Sequence, residues 1–398
     1  MTAVGHPGLA GGPIYLDYNA TTPVDPQVAD AALPYLTTQF GNPSSAHGYA
    51  AQPRRAIAAA REAIAALIGA APGEIVFTAG GSEADTLAIR GAVLARGAPA
   101  GAQVITQPTE HPAVLETCAA LARLRGAEVT YLPVGADGRV DPRALAAAIT
   151  PSTVLVSIMT ANSETGVLQP IRELARIARE HGIVFHTDAS QAVGKIGIDV
   201  RALGVDMLTI AGHKMYAPKG IGALYIRAGV QLEPLVYGGG QERGLRSGTE
   251  NVALTVALGA AARLAAAELA CGGPQRLREL RDLLHRRLDE QLPGLVRLNG
   301  HPAERLPGAL NISITGVRGD QLLAATPGIA AATGSACHAG SAEPSPVLLA
   351  MGHDKDRASS ALRLTAGRWT TRDDAETAAA AIAGTTRRLR GDQPDGMR

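Results

Sequence analysis

The chain has 398 residues, 46% of them hydrophobic and 18% charged, with a formal net charge of +1. This length exceeds a single hydrophobic core and predicts two domains, while the balanced charge excludes the basic excess of a nucleic-acid binder. The first fifty residues hold no Lys or Arg and no apolar run approaches membrane-spanning length, so neither a secretory signal nor a membrane anchor is expected.

Residues 1–13 are small and Gly-rich and read as a loose arm packing near the C-terminal domain. Ile14 to Asp17 is a strand-like entry, followed by the polar turn Tyr18 to Pro23. A helix carrying Pro53 in its first turn stops at Gly69, a placement that suits both residues. Strands are then predicted over 74–78, 103–107, 128–134, 153–159, 183–188, 207–210 and 222–226. Helices intervene, opening after Ser82, at His111-Pro112, at Asp141-Pro142 and at Pro170. Short apolar runs alternating with helices imply an α/β fold with a mainly parallel sheet covered on both faces. Ligands of such sheets sit outside the carboxyl ends of the strands. From about Val252 the pattern changes to long helices with a few strands, which predicts a smaller α+β domain. The expected division is a large domain over 14–260 and a small one over 261–398.

Several polar clusters fall at the predicted strand ends. Lys214 follows a buried strand at Gly212-His213, and Asp188 ends the preceding strand with Gln191 just beyond. An aspartate and a lysine so placed suit a pyridoxal phosphate site, one pairing with the pyridinium nitrogen and the other forming the Schiff base. Taken alone, Lys214 reads first as a solvated loop lysine, a reading that the buried strand before it and the glycines around it weaken, and nearby Lys219 reads as a surface lysine. Asp188, ending a buried strand, needs a cationic partner. Gly80-Gly81-Ser82 offers an anion seat at a helix N-terminus, or simply an N-cap. His111 is placed to stack on a flat ring and move protons, or merely to begin a helix. The segment Gly238 to Thr249 presents glycines, hydroxyls and guanidiniums, as a phosphate contact across a subunit interface or as a flexible loop.

Arg363 interrupts an apolar strand and needs an anion, either a substrate carboxylate or a structural acid. Cys118, Cys271 and Cys337 are too dispersed for a disulfide framework or metal motif, which favours a reducing cytoplasm. Cys337 lies among small residues in TGSACHAG beside His338, as an accessible thiol would. The other two are expected to be small buried hydrophobes. No metal site is expected.

Together the segments YLDYNATTP, FGNPSS, EIVFTAGGSEAD, TEHPAVL, HTDASQAVGK, AGHKMYAPKGIGALYIR, GGGQERGLRSGTEN, TGSACHAG, EPSPVLLAMG and LRLTAGR resemble the cysteine desulfurase family, from Tyr15 to about Arg388. That family belongs to the class V aminotransferases and has the pyridoxal-phosphate fold type I, here a seven-stranded sheet with a smaller domain. The resemblance implies Lys214 as the Schiff-base lysine, Asp188 on the pyridine nitrogen, Gln191 on the ring phenolate and His111 stacked on the ring. It implies Gly81, Ser82, His213 and, from a second subunit of a homodimer, Thr249 around the phosphate. Arg363 would bind the substrate carboxylate, and Cys337 would take sulfur from L-cysteine as a persulfide for a sulfur-acceptor protein. Two positions depart from the family pattern: Ser163 stands where an asparagine is usual, and Ala211 where a serine often is.

LTIAGHKMY, ACHAG and EPSPVLL are equally similar to selenocysteine lyase, which keeps L-selenocysteine as an alternative substrate. A non-catalytic partner-binding subunit is the reading furthest from these, favoured only by Ser163 and Ala211. Iron–sulfur cluster assembly is an expected destination of the sulfur, but the chain ends at Arg398 without the longer tail with which the iron–sulfur assembly desulfurases engage their scaffold, so delivery to that particular partner is not carried over from the resemblance.

Overall fold

Apolar four- and five-residue runs rich in Val, Ile and Leu become the strands of one central sheet. The computed structural model describes residues 5–97, 101–334 and 343–391. Strand β1 (Ile14–Tyr15) and helices α1 (Pro26–Thr37) and α2 (Ala51–Ile68) come first. Then follow β2 (Ile75–Thr78), α3 (Gly81–Ala95), β3 (Gln103–Thr106), α4 (Pro112–Arg125), β4 (Glu128–Tyr131) and α5 (Pro142–Ala148). The series continues with β5 (Thr153–Ser157), α6 (Ile171–Glu180), β6 (Val184–Asp188), α7 (Val200–Leu203), β7 (Met207–Ala211) and β8 (Gly222–Ile226).

The sheet order is β2-β8-β7-β6-β5-β3-β4. β8 pairs antiparallel with both β2 and β7, and every other pairing is parallel. Six strands therefore point one way, and the loops after β2, β3, β5, β6 and β7 open on one edge. Strands β2, β3, β5, β7 and β8 are buried along their whole length, as a two-sided cover demands. Edge strand β4 is partly exposed.

The second half adds α8 (Val252–Ala270), α9 (Gly273–Gln291), β9 (Val296–Leu298), β10 (Ala309–Ile314), α10 (Gly319–Ala324) and β11 (Ile329–Ala330). It ends with α11 (Pro346–Ala350), α12 (Lys355–Ser359), β12 (Ala361–Thr365) and α13 (Arg372–Arg390). β12, β10 and β9 form an antiparallel sheet whose apolar face meets α9 and α13 through Leu284, Leu288, Ile312, Leu362 and Ile382. Each such side chain, fully buried, contributes about 1.5–3 kcal/mol.

The N-terminus belongs with this second unit. β1 pairs parallel with β11, Asp17 bridges to Thr365, and the His6 ring lies 4.6 Å from that of Trp369. Residue 260 lies inside α8, which runs unbroken from Val252 to Ala270.

α8 also corrects the expectation that no apolar run reaches membrane-spanning length. It is long and apolar enough by composition, and among the described residues it is alone in this. It is nonetheless a core helix, packed against α1 and α2. At Gly259 an added Cβ would lie 2.6 Å from the Cα of Ala60, so α2 and α8 touch backbone to backbone.

Candidate active site

The sheet edge gathers the polar strand ends into one cleft. Gly81, Ser82, His111, Asp188, Gln191, His213 and Lys214 all line it, along with Ser163 and Ala211. Each arrives by a local rule. Gly81 and Ser82 open α3, and a Cβ on Gly81 would stand 3.2 Å from both Ala211 Cβ and Ser190 Oγ, so only glycine leaves this helix end uncluttered. His111 is the N-cap of α4, its Nδ1 accepting from Ala113 N at 3.1 Å. The neutral ring therefore carries its proton on Nε2. Burial pulls the His111 pKa down, with Asp188 opposing and Lys214 reinforcing the shift.

Asp188 ends β6 and is 9% exposed, with Oδ1 accepting from Ser190 N at 2.8 Å. The cationic partner expected for it is not found: among the described residues no Lys, Arg or His nitrogen comes within ion-pair distance. A buried carboxylate lining a cleft without a protein cation suits a cationic ring nitrogen.

Lys214 closes a short 3-10 turn after β7, and its Nζ donates to the main-chain oxygens of Asn19 at 2.5 Å and Ala20 at 3.0 Å. Tyr216, two residues on, adopts φ 62, a left-handed conformation costly for an aromatic residue. Thr22 Oγ1 accepts from its N–H, its carbonyl accepts from Asp25 N, and its hydroxyl accepts from Arg368 N. The turn that aims Lys214 is thus fixed from three sides. His213 Nδ1 meets Thr21 Oγ1 at 3.1 Å, and burial, followed by Lys214, pushes its pKa down to about 4.

Asn19, for which the sequence suggested no role, is the hub. Its carbonyl also accepts from Gln191 Nε2 at 2.9 Å, its Oδ1 accepts from Lys195, and its Nδ2 donates to Ser163 O at 3.2 Å. The same Ser163 carbonyl receives Arg363 Nη1 at 3.4 Å. Arg363, 2% exposed on β12, gives Nη2 to Asp17 Oδ1 at 2.7 Å, and its buried Nε has no partner among the described residues. The structural acid considered for Arg363 is therefore Asp17. Burial raises the Asp17 pKa even against the arginine.

Behind Asp188 stands a layer of buried titratable groups. Burial, then Asp188, lifts Asp85 well above the usual carboxylate range. Glu110, accepting from Met159 N and Gln107 Nε2, is pushed up to about 8, mainly by burial. His186, between Ser157 Oγ and Thr209 Oγ1, is pushed down to about 4 by burial. Both shifts favour the neutral carboxyl forms of Asp85 and Glu110 behind Asp188.

Three expectations fall elsewhere. Thr249 is exposed and is not among the residues lining this chain's cleft. Cys337 and His338 lie outside the described residues. Cys271 is exposed at the end of α8, against the expectation of burial, whereas Cys118 is buried as expected.

Residues 14–377 match the profile of the class-V aminotransferases. The chain belongs to that family. It is 48% identical over 381 residues to the cysteine desulfurase IscS of Anaeromyxobacter dehalogenans (strain 2CP-C), a match covering 95% of this chain and 93% of that one. Within the family it is thus a member of the cysteine desulfurase group, a group of pyridoxal-phosphate-dependent enzymes. Among solved structures it superposes on a NifS-like protein with a TM-score of 0.86 at 34% identity, covering 94% of this chain and 99% of the other. It also matches SspA in complex with cysteine, with a TM-score of 0.79 at 37% identity over 90% of this chain and 99% of the other. These neighbours bear out the fold type I expectation.

Proposed function

We propose that this chain binds pyridoxal phosphate and converts L-cysteine to L-alanine, moving the sulfur to Cys337 and then to an acceptor protein. One observation carries the reading: Asp188, buried with no ion-pair cation among the described residues, shares a cleft with Lys214 and Gln191, and Asn19 ties both of these to the Ser163 carbonyl beside Arg363. When bound, the cofactor supplies an electron sink for the bonds at the substrate's Cα.

The residues fit that group. Lys214 would hold it covalently, Asp188 would stand against its ring nitrogen, and Gln191 would donate to its ring oxygen. Gly81 and Ser82 would seat its phosphate on the first turn of α3, where the helix N-terminus favours an anion. His111, neutral and protonated on Nε2, would stack on the ring and exchange protons on the cleft side. Arg363 Nε would take the substrate carboxylate. The Cys337 thiolate would then attack the substrate sulfur, forming an S–S bond as the C–S bond breaks and alanine leaves.

The reading includes a homodimer, because Thr249 fits the phosphate role only from a partner's loop. It also includes a cytoplasmic setting, suited to a reactive thiol. The acceptor is a protein presenting a thiol or persulfide-accepting group. The reading takes iron–sulfur cluster assembly as a destination of that sulfur.

Purified protein supplied with pyridoxal phosphate is expected to be yellow, and Lys214→Ala to lose the visible band. Cys337→Ala is expected to abolish sulfide release while cofactor binding persists. A colourless wild type after reconstitution would defeat the proposal. Turnover of selenocysteine far above that of cysteine would reassign the chain as a selenocysteine lyase.

A further inference from the structure

The catalytic reading leaves one cation near the cleft unused. Lys195 follows Gly194, whose φ of 79 turns the chain inward. A Cβ on Gly194 would lie 2.8 Å from Met215 Cγ and 3.2 Å from Ala265 Cβ, so the approach depends on glycine. The lysine stem keeps some exposure, but its Nζ reaches two buried acceptors, Gln191 Oε1 at 2.9 Å and Asn19 Oδ1 at 3.0 Å. Gln191 is 5% exposed and Asn19 1%.

The donor pattern permits one orientation of each amide. Main-chain carbonyls only accept, so Gln191 Nε2 must face Asn19 O, and Asn19 Nδ2 must face Ser163 O. Each amide oxygen then points at Lys195, which supplies donors to both. Lys195, Gln191 and Asn19 close a ring of three hydrogen bonds. Lys214 hangs from the same Asn19 carbonyl, and Arg363 from the same Ser163 carbonyl.

We propose that Lys195 is a positioning residue of the active site: donating to both Gln191 Oε1 and Asn19 Oδ1, it fixes the way the Gln191 amide faces and holds Asn19 where it orders Lys214 and the Ser163 carbonyl. This rests on the function proposed above and adds to it the residue that couples the cofactor half of the cleft to the substrate-carboxylate half. Without Lys195, two buried acceptors lose their donor, and the Gln191 amide is free to turn its oxygen toward the cleft. Burial of the nitrogen end, then Lys214, then Arg363, holds the Lys195 pKa well below the usual lysine range. The other groups that feel it belong to the same site, His213 among them.

The test is a double-mutant cycle on the full chain, using Lys195→Met, Gln191→Ala and the pair. Pyridoxal phosphate affinity is titrated from cofactor-free protein, and kcat and KM for L-cysteine are measured after loading. Lys195→Met should weaken cofactor binding and lower kcat, each on the order of tenfold, with KM changing less, as expected when two buried acceptors lose their hydrogen-bond donor. The pair should be no worse than the poorer single variant, because residues acting as a unit are not additive. The pH at which the visible band of the bound cofactor changes should rise in Lys195→Met, since both a cation and an oriented amide are lost.

Losses that add across the pair, or an unmoved band pH, would overturn the inference while leaving the proposed function intact. A wild type that neither binds pyridoxal phosphate nor consumes cysteine would instead defeat the function itself. Should Lys195→Met fail to fold, Lys195→Gln, which keeps one donor, enters the same cycle with the same expected non-additivity.

Discussion

Arg363 and Asp17 form an ion pair, Nη2 to Oδ1 at 2.7 Å, across the junction of β12 with the N-terminal segment. The arginine side chain is 2% exposed and the aspartate 20%. A substrate carboxylate in the proposed site at Arg363 would therefore join an existing pair, with Nε, unpartnered among the described residues, as the donor left for it.

Asp17→Asn should destabilise the protein, because a buried guanidinium loses its counter-charge. Breaking a buried pair costs about 3–5 kcal/mol, and the partial exposure of Asp17 places this case toward the lower end. An amino-acid carboxylate would replace the missing anion. Saturating L-alanine should thus raise the melting temperature more in Asp17→Asn than in wild type. Equal shifts in thermal melts would argue that Arg363 does not receive the carboxylate.

The alternation of apolar runs made the sheet, its direction and the strand-end placement of Asp188 and Lys214 legible in the sequence, since these depend on neighbours within a few residues. The hub was not legible. Asn19 meets Gln191, Lys195 and Lys214 across more than 170 residues, and a polar turn near the N-terminus gives no local sign of where it docks. α1 was readable in principle, because Asp25-Pro26 caps it as Asp141-Pro142 caps α5, but Pro34 inside it breaks the helical pattern. The boundary expected near residue 260 falls inside α8, an Ala/Leu helix of the large core whose composition carries no linker signal. The phosphate role proposed for Thr249 calls for a second chain, which no spacing within one chain reveals.

Glu110→Gln should stabilise the protein increasingly as pH rises. Glu110 has its pKa pushed from 4.5 up to about 8, so between these values the folded chain holds a proton that the unfolded chain has released. Its contribution to stability is present below pH 4.5 and is lost as pH climbs through 8. Glutamine keeps the oxygen that accepts from Met159 N and Gln107 Nε2 and never ionises. His186, held down near 4, acts in the opposite direction only below its ordinary value of 6.5. Urea unfolding at pH 6.5 and pH 8 should therefore show the gap between variant and wild type widening, on the order of a few kcal/mol at most. A gap that stays constant would place Glu110 ionised in the folded protein.

Ala211→Ser should tighten pyridoxal phosphate binding. Ala211 is 4% exposed, lines the cleft, and faces the Gly81 turn at the start of α3. A hydroxyl there adds one donor to an anion seat, worth about 1 kcal/mol or roughly fivefold in dissociation constant. Gly81→Ala should act the other way, because its Cβ would press on Ala211 and Ser190 at 3.2 Å. Equilibrium titration of cofactor-free protein reads both. No tightening in Ala211→Ser would mean that the phosphate does not sit between these residues.

Glu242→Ala should unsettle the 238–249 loop and the sheet edge together. Edge strand β2 has outward backbone groups to satisfy, and Glu242 Oε2 accepts from Phe77 N at 2.9 Å while Arg61 donates to Ile75 O at 2.6 Å. Glu242 also grips Arg61 with both oxygens, at 2.6 and 2.8 Å, and its side chain is 5% exposed. This grip holds Glu242 and Arg243 at φ 48 and 60, conformations that cost each residue about 1–3 kcal/mol when nothing supports them. Removing the carboxylate leaves the Arg61 guanidinium with the Ile75 carbonyl but without its counter-charge, leaves the Phe77 N–H unpartnered, and should cost about 3–5 kcal/mol in urea melts. Arg61→Ala should cost a similar amount, and the pair little more than either alone. Because the same loop carries Thr249, the cofactor dissociation constant of the assembled protein should rise several-fold in Glu242→Ala. A loss of stability with unchanged cofactor affinity would separate the sheet-edge role of Glu242 from any part of its loop in the phosphate site.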